Sequence, residues 1–304
     1  MRYLGILFVC LPALAQEGSS SSTYTFDVNG RRIEAGKSAR LQGPGTTASR
    51  QIVQSINGRE VPLESTEERV VSDDGTTRII ERVTRRYTRT GEPGPPERVR
   101  IEERRETDGT MTTAATAYRG DVNGNFQLAE RSLTQARTTG GTTTTSTAVE
   151  RPTLNGGMEL VERREAFSTK DRENVTVLRR DQQGRFEEAA RRLVERTTGE
   201  GGVPVENSVR YEYGRLIEQT VSRTEKVNGA EQTTVDVYAP HAPGRSRSAS
   251  DAQPVLQEQR VLERVPTVGG AVERVSIRRP DPSNPGRMTA ARVVEETVCR
   301  GDCK

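Results

Sequence analysis

The chain has 304 residues, 46 Lys+Arg against 43 Asp+Glu, and 29% charged residues, so it is almost neutral although densely charged. Leu, Ile, Val and Phe together make up 59 positions, about 19%, too few for the large conventional core that a chain of this length would usually build. With no Trp, five Phe and one His, the usual means of lining an aromatic pocket or building a His-based active site are mostly missing.

Residues 1–15 read as a secretory signal peptide. Arg2 supplies the basic n-region, Leu4 to Leu14 the apolar h-region, and Ala13-Leu14-Ala15 the small-x-small cleavage pattern. The mature protein is expected to be exported, to the periplasm, the cell surface or the medium. No other run approaches the roughly 20 apolar residues of a spanning helix.

From residue 16 onward turn signals dominate. Residues 16–60 are expected to form N-terminal strands in looser repeats around Asn29-Gly30 and Asn57-Gly58. Residues 61–239 form the regular repeat region, 240–254 a Pro/Ser-rich linker or insertion, and 255–304 a terminal repeat. Glycine turns followed by an apolar residue recur at Gly124, Gly156, Gly184, Gly214 and Gly286, about 30 residues apart once the Pro/Ser-rich insertion before the last is set aside, and these five glycines are expected to be structural turns. A second series falls midway, at Gly75, Gly109, Gly140-Gly141, Gly201-Gly202, Gly229 and Gly269. Asn-Gly and Asp-Gly supply the positive φ that tight hairpins need. The segments between turns are rich in Thr, Val and Arg. The expected fold is all-β: an up-and-down meander of long β-hairpins, one per repeat of about 30 residues, as an open or curled sheet with partly disordered loops, the sequence alone not fixing whether it closes.

An apolar-Glu-Arg triplet recurs in the repeats, as in Ile80-Glu81-Arg82, Ala129-Glu130-Arg131, Val161-Glu162-Arg163 and Val194-Glu195-Arg196. In a strand its Glu and Arg point to opposite faces, so both faces of the sheet should carry charge. Because acids interleave with the 42 Arg, no basic stripe for nucleic acid forms. Thr138 to Thr147 reads as a flexible Thr/Gly loop. Arg185 to Thr198 places Phe186, Ala189, Ala190, Leu193 and Val194 on one helical face, but repeats should share a fold, and strand is the expectation.

RRDQQGRFEEA (Arg179 to Ala189) and RYEYGRLIEQTV (Arg210 to Val221) resemble the YD-repeat motif of Rhs-type secreted proteins, in which a Tyr- and Asp-containing strand leads into a Gly-Arg-apolar turn. The resemblance implies an array of β-hairpins. In that family the array curls into a shell around cargo, but the chain has too few apolar residues for a closed shell, and no toxin-like domain follows.

Candidate sites are few. Asp121-Val122-Asn123-Gly124-Asn125 places oxygen side chains as a calcium loop begins, but Phe126 and Ser132 stand where such a loop needs Gly and an acid, so a hairpin turn is expected. His241 lies between prolines on a flexible stretch. No catalytic, cofactor or metal site is expected, and the protein is read as non-enzymatic. Asn174-Val175-Thr176 is a glycosylation sequon.

Cys299 and Cys303 are expected to close a local disulfide ring, given export, with an intermolecular bridge as the alternative. Inside the ring Arg300-Gly301-Asp302 resembles the integrin-binding tripeptide, a possible adhesion ligand; Arg119-Gly120-Asp121 repeats it. The reading is an exported structural or binding element of the cell envelope or surface, its partner unknown, self-association included. The alternatives are an outer-membrane β-barrel of 14 to 16 strands, the adhesion ligand, or an enzyme using His241.

Overall fold

The computed structural model describes residues 17–300 except 28, 43–46, 57–58, 122, 241–253 and 285. Eighteen strands follow one another: β1 Glu17–Phe26, β2 Arg32–Gln42, β3 Thr47–Ile56, β4 Arg59–Asp73, β5 Thr77–Arg86 and β6 Glu97–Arg105. They continue as β7 Met111–Gly120, β8 Phe126–Thr139, β9 Thr142–Pro152, β10 Met158–Ser168, β11 Arg172–Arg180 and β12 Phe186–Thr198. The last six are β13 Pro204–Glu212, β14 Arg215–Val227, β15 Ala230–Ala239, β16 Val255–Thr267, β17 Gly270–Arg278 and β18 Arg292–Arg300.

Each strand pairs antiparallel with its sequence neighbours, and β18 pairs back onto β1, with Ser21 opposite Cys299 and Thr23 opposite Thr297. The meander therefore closes into a barrel. The sequence leaves open whether the sheet closes, because nothing local encodes the pairing of β1 with β18. The stretch from Phe186 to Thr198 is strand, as repeat logic requires, with Val194 opposite Ser208. Thr138 to Thr147 is not a flexible loop. It is the end of β8, a two-residue turn at Gly140-Gly141 and the start of β9, stitched by a Thr138–Thr143 hydroxyl contact of 2.9 Å. Threonine is a strand former, and the two glycines at φ +56 and +78 meet the turn's requirement.

In a closed meander successive turns alternate between the two mouths. The series of Gly30, Gly91, Gly124, Gly156, Gly184, Gly214 and Gly286 all lies at one mouth, and the midway series at the other. Strand β1 begins and β18 ends at the second, the terminal mouth; the first is the distal mouth. All five glycines expected to be structural turns have positive φ, from +72 at Gly214 to +87 at Gly286. The commonest distal turn is a five-residue form. In it the Asp181 N–H donates to the Arg185 carbonyl (2.8 Å), the Gly184 N–H donates to the Asp181 carbonyl (3.1 Å), and the Asp181 carboxylate accepts from the Gln183 and Arg185 N–H groups. Asp121 builds the same turn through Asn123, Gly124 and Asn125, so the calcium-like string is a hairpin turn.

Partners opposite each other in neighbouring strands point to the same side, so the register carries a face round the ring. Side chains of β17, β18 and β1–β5, among them Glu273, Thr297, Ser21, Ser38, Arg50, Thr66 and Thr84, line one cavity of about 680 Å³. Only the concave side of a curved wall gathers seven consecutive strands about one space, so these residues mark the lumen. A circular ring of 18 strands at the usual spacing and tilt is about 36 Å across, backbone to backbone. The barrel is hollow, and its buried apolar side chains are small and scattered: Val61, Ile80, Val149, Val194, Val237 and Ala271 on the lumenal face, with Ala189 and Ala230 elsewhere. The wall is held mainly by its ladders.

Nine hairpins carry a register shift, and eight of the nine lie toward the distal mouth. Several extra residues are apolar and stand five positions after a turn glycine, as do Ala129, Val161 and Ala189. A bulge reverses the alternation. Leu128 faces Tyr118, but Glu130 faces Ala117, so Phe126 and Leu128 point outward while Glu130 and Ser132 point into the lumen. All eight aromatic residues on the strands among the described residues end on the outer wall. Tyr24, Phe26, Tyr118 and Phe126 lie within two residues of a strand end at the distal mouth, and so do Phe186, Tyr211 and Tyr238. Phe167 alone lies near the terminal mouth.

Candidate functional site

The lumenal trough combines hydroxyls with ion-paired charge. Glu68 receives Arg82 at 2.8 Å, Glu64 lies 3.5 Å from Arg86, and the hydroxyls of Thr66 and Thr84 meet at 3.3 Å. No aromatic ring enters it. Further round the lumen one carboxylate sits between two guanidinium groups: Glu162 between Arg164 (2.5 Å) and Arg179 (2.8 Å). Burial pushes the Glu162 carboxyl up, but the Arg179 and Arg164 hydrogen bonds outweigh it and hold it below the ordinary range. Glu258 has the same balance with Arg260 and Arg279. Arg196 reverses the arrangement, joining Glu173 at 3.3 Å and Glu206 at 2.9 Å.

The outer wall repeats the device. Glu81 bridges Arg69 and Arg98, each at 3.1 Å, and the Arg98 hydrogen bond holds its carboxyl below the ordinary range. Asp236 takes Arg223 at 2.9 Å and Gln259 at 2.8 Å; Glu296 takes Arg274 at 2.8 Å and also Arg32. The triplets thus divide between faces. In Ile80-Glu81-Arg82, Glu81 serves the outer wall and Arg82 the lumen; in Val194-Glu195-Arg196, Arg196 serves the lumen and Glu195 faces out toward Arg172. Chemically these groups can stabilise a wetted wall. Acids and bases neutralised in pairs are poorly suited to proton transfer.

The site residues named from sequence do not come together. Gly124, Gly156, Gly184, Gly214 and Gly286 ring the distal mouth. Cys299 and Arg300 end β18 at the terminal mouth, opposite Ala271 and Gly270. Gly301, Asp302 and Cys303 lie outside the described residues, as do His241 and residues 1–16. In the first Arg-Gly-Asp copy the Gly120 N–H donates to the Pro96 carbonyl at 2.7 Å and Asp121 opens a turn. Asn174 is exposed on the outer face of β11. No group of three or more His, Cys, Asp or Glu among the described residues could hold a metal ion.

The outer aromatic collar escapes a period-2 reading of the sequence, because Phe126, Leu128 and Glu130 alternate as if on one face. The signal that would find it is the small apolar residue five positions after the turn glycine. Comparison with protein-family models, curated proteins and solved structures finds no match to the chain.

Proposed function

We propose that the protein is an exported, non-enzymatic β-barrel with a structural or binding role at the cell envelope or surface. One observation carries this reading: ion-paired Arg and carboxylate groups stand at mid-strand on both faces of the wall, as at Glu81 outside and Glu162 inside. A wall charged on both faces suits water on both sides. The paired state of the lumenal acids and bases supports a non-enzymatic role. Expression with the native leader tests the reading. The protein should leave the cell or be released by osmotic shock and salt; retention in the cytoplasm would refute it.

A second reading, an outer-membrane β-barrel, is favoured by the connections. Strand β1 begins and β18 ends at the mouth whose described turns are short, while the longer described connections 87–96 and 279–291 lie at the other. Against it, Arg69 at mid-strand on the outer wall would cost about 2–4 kcal/mol at a bilayer midplane. Extraction only by detergent, after a carbonate wash leaves the protein in the pellet, would favour it. The Cys299–Cys303 ring presenting Arg300-Gly301-Asp302 belongs with the first reading, as a terminal epitope.

A further inference from the structure

We propose that the distal mouth docks onto an anionic lipid bilayer through its outer aromatic collar, so that the barrel stands on the membrane without crossing it. This deepens the exported, wetted-barrel reading and rests on it.

The collar is selective. Of the strand aromatics among the described residues, seven of eight gather within two residues of one mouth, all facing outward, while the lumenal trough has none. Aliphatic residues such as Leu160, Leu178 and Leu216 accompany them on the same face. Phe126 is 42% exposed. Apolar side chains gathered in this way at one rim mark an interaction site.

Its shape selects the occupant. The collar follows the rim from β7 to β16 and returns on β1, so it faces outward along most of a circle. A globular partner would cover one side of such a rim, whereas a plane meets all of it. Two residues of tilted strand reach about 5 Å, and with the turn before them about 5–10 Å, the depth at which Tyr, Phe and Leu lie in a bilayer interface. Deeper insertion is opposed by the charged mid-wall at Arg69 and Glu81.

Charge fits an anionic headgroup layer. Guanidinium groups sit on three collar rings: Arg32 on Tyr24 at 3.6 Å, Arg163 on Phe186 at 4.9 Å and Arg191 on Tyr211 at 5.0 Å. Arg32 is also held by Glu296 and Arg191 lies 3.6 Å from Glu188, so of the three Arg163 is the one placed to turn its N–H donors to phosphate.

The chain has no Trp, so a single substitution makes a clean reporter. F126W places the indole in the collar and F167W places it on the outer wall near the other mouth. Both variants are checked for a wild-type β spectrum, then mixed with phosphatidylcholine vesicles with and without phosphatidylserine, carrying brominated acyl chains. The expected result is a blue shift and loss of fluorescence for F126W, stronger with phosphatidylserine, and no change for F167W. In co-sedimentation, Phe186→Ser with Tyr211→Ser should lower the bound fraction about tenfold, the loss of part of two rings' burial, while Phe167→Ser leaves it unchanged. Quenching of neither reporter overturns the docking and leaves the wetted barrel standing. Quenching of both shows a spanning barrel and overturns docking and wetted wall together.

Discussion

Gly156 and Gly157 are neighbours in one turn but meet different backbone demands, which makes them a controlled pair. Gly156 has φ +80, and a Cβ built there finds no atom within 4 Å; Gly157 has no such φ, and its Cβ would lie 3.5 Å from the Thr153 hydroxyl, an ordinary contact. Replacing either by Ala removes the same freedom from the unfolded chain, worth about 0.4–1 kcal/mol of stability. Only Gly156→Ala adds the cost of a left-handed backbone with a Cβ, about 1–2 kcal/mol. The unfolded-state gain cancels between the two variants, so Gly157→Ala should be more stable than Gly156→Ala by about 1–2 kcal/mol. An unfolding entropy of about 0.6 kcal/mol/K for this length makes that about 2–3 °C in thermal midpoint. Thermal unfolding followed by far-ultraviolet circular dichroism, with denaturant midpoints alongside, measures it. Equal midpoints, or Gly157→Ala the less stable, would refute the claim that distal turns are set by positive φ.

Val194→Ala removes the largest fully buried side chain among the described residues, 1% exposed on the lumenal face, and should lower the unfolding free energy from denaturant titration by about 2 kcal/mol. Glu162→Gln, which leaves Arg164 and Arg179 without a charge partner, should cost about 1 kcal/mol, the partners' exposure keeping it small. That loss should shrink in 1 M salt, and the exposed Glu195→Gln should change stability by less than about 0.5 kcal/mol. The carboxyls of Glu81, Glu162, Asp121 and Asp181 are held below their ordinary values, so their contribution is complete above about pH 4–5 and is lost as pH falls through the folded values. Urea midpoints should be flat from pH 8 to 5 and fall below about 4; a rise between 5 and 3 would contradict the clamps. Intact mass of the exported protein should be two protons lower without reductant than with it, as a monomer, if Cys299 and Cys303 are joined; free thiols or a linked dimer would exclude the ring.

Local chemistry was legible in the sequence wherever one residue type has a single good use. Glycines such as Gly124 and Gly184 announced turns because only they tolerate positive φ, and their spacing separated two series that a meander must send to opposite mouths. The Glu-Arg alternation announced two charged faces because a strand allows nothing else, and the repeat overruled the helical face at Phe186. Two properties belong to the tertiary structure alone. Closure depends on β18 meeting β1 across nearly the whole chain, a pairing of Thr23 with Thr297 that no local pattern encodes; the strand number is 18, above the 14 to 16 expected, and Thr138 to Thr147, read as a loop, belongs to two of the strands. The second property is which way the rings point. A bulge at Ala129, Val161 or Ala189 adds one residue and reverses the alternation, sending Phe126, Leu160 and Phe186 outward while Glu130, Glu162 and Ala190 face the lumen. A bulge is a property of two strands in register, so a reading of one strand at a time cannot contain it.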